Sequence, residues 1–171
     1  RKAILEIYKN LDISETKFIE IKYSKKFISF TNANIEIKSK IIEGNFPDFT
    51  KVIPQDNPIK IEIERERLLK TLQRVSVLSN DKIRGIRLTF NDNKLIVLCS
   101  NQDRELAEET IDIKYAFESL EIGFNVNYLI DALSNINDEK IIISLRDQNS
   151  SMLIEKKENQ QFKYVVMPMR I

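Results

Sequence analysis

The chain has 171 residues, 42% of them apolar, enough to bury a real core in one large or two small domains. Basic and acidic residues nearly balance, 27 against 26 for a net charge of +1, so bulk charge points to no nucleic acid, membrane or acidic partner. One cysteine, Cys99, excludes an internal disulfide, and with no signal-peptide pattern and no apolar run near the roughly 20 residues that span a bilayer, the expected location is the cytoplasm.

The first stretch, "RKAILEIYKNL", has helical spacing over 2–11 and begins at Arg1 rather than Met, so the sequence is expected to be a piece of something longer. Alternation then predicts strands in "KFIEIKY" (17–23), "KFISFT" (26–31) and "NIEIKSKII" (34–42). "IPQDNPIK" (53–60) holds two prolines and no alternation, and a domain boundary is placed there. "IKIEIE" (59–64) reads as a strand, followed by a helix over 65–78 with Leu68, Leu69, Leu72 and Val75 on one face. Strands follow in "GIRLTF" (85–90), "KLIVLCS" (94–100) and "ELAEETIDIKY" (105–115), with "NDN" as a turn. "LEIGF" (120–124) precedes a helix over 126–136, which Asn125 is placed to cap. "KIIISLR" (140–146), "SMLIEK" (151–156) and "FKYVVM" (162–167) complete the strands.

This order repeats with a period of about 60 residues: strand, helix, three strands. The first copy lacks its leading strand. Residues 1–58 therefore read as half a domain and 59–171 as a complete domain of two βαβββ repeats, an α+β fold with helices on one face of antiparallel sheets.

The absence of histidine excludes Ser–His or Cys–His catalysis and any His metal site, and no Gly-rich phosphate loop is present. Asp103, Glu105, Glu108 and Glu109 form the one carboxylate cluster. It could hold Mg²⁺ as in a nuclease, form a charged protein interface, or be a solvated edge; strand alternation turns Glu108 away from Glu105 and Glu109, which argues against the metal. No cofactor and no catalytic role is expected. On the helices, Lys2 and Lys9 lie opposite Ile4 and Leu11, while Arg67, Lys70 and Arg74 lie opposite the Leu68/Leu72/Val75 face. Such stripes are ordinarily just solvated. The third helix presents Asn127, Asp131 and Ser134, with no base. The last residues, "YVVMPMRI" (164–171), are unusually apolar, and Val165 and Met167 read either as sheet core or as the wall of a groove.

Four stretches, "GNFPDFTKVIP" (44–54), "VLSNDKIRGIRL" (77–88), "EIGFNVNYLIDAL" (121–133) and "YVVMPMRI", closely resemble, in co-linear order, the bacterial replicative sliding clamp family, the β subunit of DNA polymerase III. The resemblance implies a head-to-tail homodimeric ring of DNA-clamp domains, of which 1–58 would be the second half of the middle domain and 59–171 the C-terminal domain. It implies that Arg1, Lys2, Lys9, Arg67, Lys70 and Arg74 face encircled duplex DNA without reading bases. It implies a subunit contact with Val77 and Leu78 at its apolar centre and Glu105, Glu108 and Glu109 as its acidic part; Leu106 departs from the family pattern, where an acid is also common. Finally, it implies a groove that takes short linear motifs of polymerase, clamp-loader and repair proteins. This chain would contribute Pro47, Val52, Val165, Met167, Pro168, Met169 and Arg170, with Asn125, Tyr128 and Ser151 at the rim.

Overall fold

The computed structural model describes residues 2–10, 18–32, 35–44, 48–79, 84–157 and 162–171. They fall into two compact units, Arg1–Pro47 and Asp48–Ile171. This division lies earlier than the 58/59 boundary read from sequence. Asn57 goes with the second unit: its buried side chain donates to the carbonyls of Ser144 (2.9 Å) and Ser151 (3.1 Å).

The first unit holds α1 (Lys2–Asn10) and the antiparallel strands β1 (Glu20–Tyr23), β2 (Phe27–Asn32) and β3 (Ile35–Lys40), in sheet order β1-β2-β3. Among its described residues only Ser29 and Asn32 are buried, while Ile4, Tyr8, Phe18, Ile21 and Tyr23 are exposed. An amphipathic helix and a sheet normally bury such side chains against a second layer.

In the second unit the chain makes a 3₁₀ turn at Phe49–Lys51, then β4 (Ile59–Glu64), α2 (Arg65–Val75), a 3₁₀ turn at Ser76–Leu78, β5 (Gly85–Asn91), β6 (Lys94–Ser100) and β7 (Leu106–Asp112). The same pattern recurs as β8 (Leu120–Asn125), α3 (Val126–Ser134), β9 (Lys140–Leu145), β10 (Met152–Lys156) and β11 (Lys163–Val166). In β4, Ile59, Ile61 and Ile63 are buried and Lys60, Glu62 and Glu64 exposed, as period-two alternation requires. The β5–β6 hairpin turns on Asp92 and Asn93, both with positive φ (47° and 60°), the geometry whose twist suits a two-residue loop. Asn125 caps α3 by accepting from the Asn127 amide at 2.9 Å.

The two repeats exchange their leading strands. One sheet runs β11-β10-β9-β4 and the other β7-β6-β5-β8, with Ile59 opposite Leu145 and Gly85 opposite Asn125. Each sheet thus contains three strands of one repeat and the first strand of the other. The helices pack against each other, α2 also meeting β4, β6 and β7, and α3 meeting β8 and β11. One core joins both repeats, with Leu72, Ile86, Phe90, Leu95, Phe124 and Leu133 fully shielded from solvent. No described helix is long and apolar enough to cross a membrane.

Candidate functional site

The outward face of α3 and the edge strand β11 enclose a depression of about 380 Å³. Tyr128, Asp131, Ala132 and Asn135 line it from the helix and Tyr164, Val165, Val166 and Met167 from the strand. Their spacing explains the convergence: positions i, i+3, i+4 and i+7 from Tyr128 share one face of a helix. Tyr128 and Met167 are each about 60% exposed, at 60% and 62%, so two large side chains stand in solvent around an apolar floor. The Ser151 hydroxyl donates to the Met167 sulfur at 2.9 Å and orients that wall.

Sequence reasoning named Tyr128, Ser151, Val165 and Met167, and they meet here. It missed Asp131, Ala132, Asn135 and Tyr164, although the helical spacing from Tyr128 was available to find the first three. Met169 and Arg170 line a second, more polar recess with Arg87, Glu121, Gly123, Gln148 and Asn149. Pro168, half-buried, lies between the two. Asn125 sits at the start of α3 as its cap, and Val52 is exposed just after the Phe49–Lys51 turn. Pro47 and Arg1 lie outside the described residues.

The charged groups sort differently from a simple basic stripe. Arg67, Lys70 and Arg74 are all exposed on α2. Lys70, however, pairs with Glu66 at 2.7 Å, one turn back on the helix. Arg74 grips Glu109 of β7 with two nitrogens, at 2.6 and 2.7 Å, and the Thr71 hydroxyl donates to the same carboxylate at 3.1 Å. That bidentate geometry is the strong form of a carboxylate–guanidinium contact. It holds the Glu109 carboxyl below its ordinary value and pushes Arg74 up, the hydrogen bond being the main cause in both. On α1, Lys2 and Lys9 are exposed, and Lys9 lies 4.0 Å from Glu6.

Glu109's folded pKa is depressed, so the pair's contribution is fully present above the ordinary carboxyl value of 4.5 and is lost as pH falls through the lower folded value. Arg74→Met should melt below the wild type at neutral pH by a modest amount, since Arg74 is largely exposed. The gap should narrow as the pH falls below 4.5 and Glu109 takes up its proton. A gap that stays constant with pH would show that the pair contributes nothing.

Of the proposed contact residues, Val77 is 80% exposed in the 3₁₀ turn and Leu78 half-buried beside it. Glu105 and Glu108 are exposed, Glu105 accepting from Asn101 at 2.6 Å. Glu109 instead leans toward α2. β7 is the outer strand of its sheet and Leu106 on it is 59% exposed. Among the described residues no group of three or more carboxylate or cysteine side chains is arranged to hold a metal. Cys99 is buried, and burial pushes its thiol up, away from reactivity.

Interlocked βαβββ repeats, with both helices packed together over two edge-exposed sheets, define a DNA-clamp domain. A family profile described as "DNA polymerase III beta subunit, C-terminal domain" matches residues 50–170, and the chain belongs to that family. A beta sliding clamp of Pseudomonas putida is 38% identical over 171 residues, covering all of this chain and 46% of its own length. The crystal structure of the DNA polymerase III subunit beta from Pseudomonas aeruginosa superposes with a TM-score of 0.82 at 37% identity, covering all of this chain and 47% of that one. A sliding clamp from the same organism, solved bound to griselimycin, has a TM-score of 0.77 at 36% identity over 99% of this chain and 46% of its own. The chain thus spans about half the length of these relatives.

Proposed function

We propose that this chain is part of a non-catalytic processivity factor of bacterial, hence cytoplasmic, DNA replication: a clamp that encircles duplex DNA as a homodimeric ring and docks replication proteins on its surface. The observation that carries this reading is the whole-chain similarity to clamp structures at a TM-score of 0.82. In this reading Asp48–Ile171 is the C-terminal clamp domain and Arg1–Pro47 half of the middle one. The exposed apolar side chains of the first unit agree with that, since the other half would cover them.

In this reading each unit turns one helix to the DNA, α1 with Lys2 and Lys9 and α2 with Arg67 and Lys70. Arg74 contributes less, because its charge is already opposed by Glu109. Contacts of this kind neutralise phosphates and are salt-sensitive and sequence-independent. Among the described residues Lys9, Lys70 and Arg74 each have a carboxylate within 4.0 Å, which suits a ring whose hold on DNA is topological. The subunit contact uses Val77, Leu78, Glu105 and Glu108 beside the free edge of β7. The α3–β11 depression, with Tyr128, Val165 and Met167, is the docking groove for linear motifs of polymerase and clamp-loader subunits, and for griselimycin. Met supplies an adaptable surface that accepts several peptides.

The test is topological. Whole-length protein loaded on nicked circular duplex should stay bound through gel filtration and be lost when the DNA is linearised. Equal loss from both forms would overturn the encircling ring.

A further inference from the structure

β8 has β5 on one side and no strand on the other. That free edge is occupied by the segment after β11. The β10–β11 ladder ends at Val166 opposite Met152. Pro168 has no N–H and cannot extend it. The next available donor, the Met169 amide, bonds the Gly123 carbonyl at 2.9 Å. Met167 is therefore held between two anchors, the end of one sheet and the edge of the other.

Gly123 makes the second anchor possible. A Cβ there would lie 2.5 Å from the Met169 carbonyl oxygen and 2.7 Å from Ile171 Cγ1. The first clash is with backbone, which cannot swing aside as a side chain can. The requirement for glycine is thus close approach rather than an unusual φ. From Gly123 the chain runs directly through the Asn125 cap into α3, which carries Tyr128. One short path joins the latch to both walls of the depression.

We propose that Gly123 is a positioning residue for the α3–β11 groove: it lets segment 167–171 latch onto β8 and so sets where Met167 stands relative to Tyr128. This rests on the reading of that depression as a docking groove. The role of Gly123 is exerted through the Met169 amide, from which its carbonyl accepts a hydrogen bond.

The experiment compares whole-length wild type with Gly123→Ala, measuring amide exchange at Met169 and calorimetric affinity for griselimycin. The expected result is a retained melting transition, about tenfold faster exchange at Met169, and about tenfold weaker binding. Unchanged exchange, or faster exchange with unchanged affinity, overturns the proposal. If the wild type itself fails to bind griselimycin, the groove reading falls, while Met169 exchange still judges the latch. Met169→Pro and Met169→Ala form a second pair, independent of β8, that covers the case in which Gly123→Ala does not fold. Both remove the side chain but only the first removes the donor, so weaker binding by the proline variant supports the latch and equal binding overturns it.

Discussion

Leu72→Ala should destabilise the Asp48–Ile171 unit by about 2–5 kcal/mol, a typical cost for truncating a leucine in a core that cannot collapse around the gap. Leu72 is 0% exposed. It lies on α2, which packs on α3 and on strands of both sheets. Shrinkage there is opposed from several directions, so the cavity term should be large. Against a total stability of about 5–15 kcal/mol, such a loss is a substantial fraction of the whole. Because β4 and β8 are exchanged between sheets, neither repeat can unfold without stripping an edge strand from the other. The loss should therefore appear as a single displaced transition in urea, with the slope unchanged. Gln73→Ala, on the exposed face of the same helix, is the control and should move the midpoint little. A midpoint for Leu72→Ala equal to that of Gln73→Ala would contradict the packing described.

The strands and helices of the second unit were legible because each is a local pattern. "IKIEIE" alternates cleanly because β4 has one face on the core. The Leu68/Leu72/Val75 stripe appeared because α2 is solvated on its other side. The pattern fails where both faces are covered: Met152, Leu153 and Ile154 are all buried in β10, and Ser144, opposite Leu153, is buried beside the anchored Asn57. Strand exchange was not legible, since alternation says which face a strand buries and nothing about its neighbour. The Arg74–Glu109 pair joins residues far apart in sequence: the helical wheel set Arg74 opposite the apolar face and strand alternation set Glu109 on the face of Glu105, and neither pattern links the two. Gly123 carried no local sign at all. Its need for a bare Cα comes from a segment more than forty positions later that only the folded chain brings against it. The site was legible mainly by resemblance: Val165 and Met167 alone fit a core strand equally well.

Tyr128→Ala combined with Met167→Ala should weaken griselimycin binding by about 100-fold or more, with little change in melting temperature. Both halves of this prediction come from the same fact. Tyr128 and Met167 are 60% and 62% exposed, so little of their surface contributes to the folded state and little stability is lost with them. That same surface is what a ligand would cover. A tyrosine and a methionine facing each other across an apolar floor are the kind of central anchors that dominate small interfaces, because a bound group desolvates both walls at once. Asp131, which lines the depression from the same helix face, offers a bound apolar group less surface to cover and should matter less. The double variant also separates contact from placement. Loss of the walls should weaken binding while leaving Met169 exchange unchanged, whereas Gly123→Ala should change both. Full affinity in the double variant, with wild-type binding intact, would move the docking site elsewhere on the chain. The polar recess lined by Met169 and Arg170 would then be the next place to substitute.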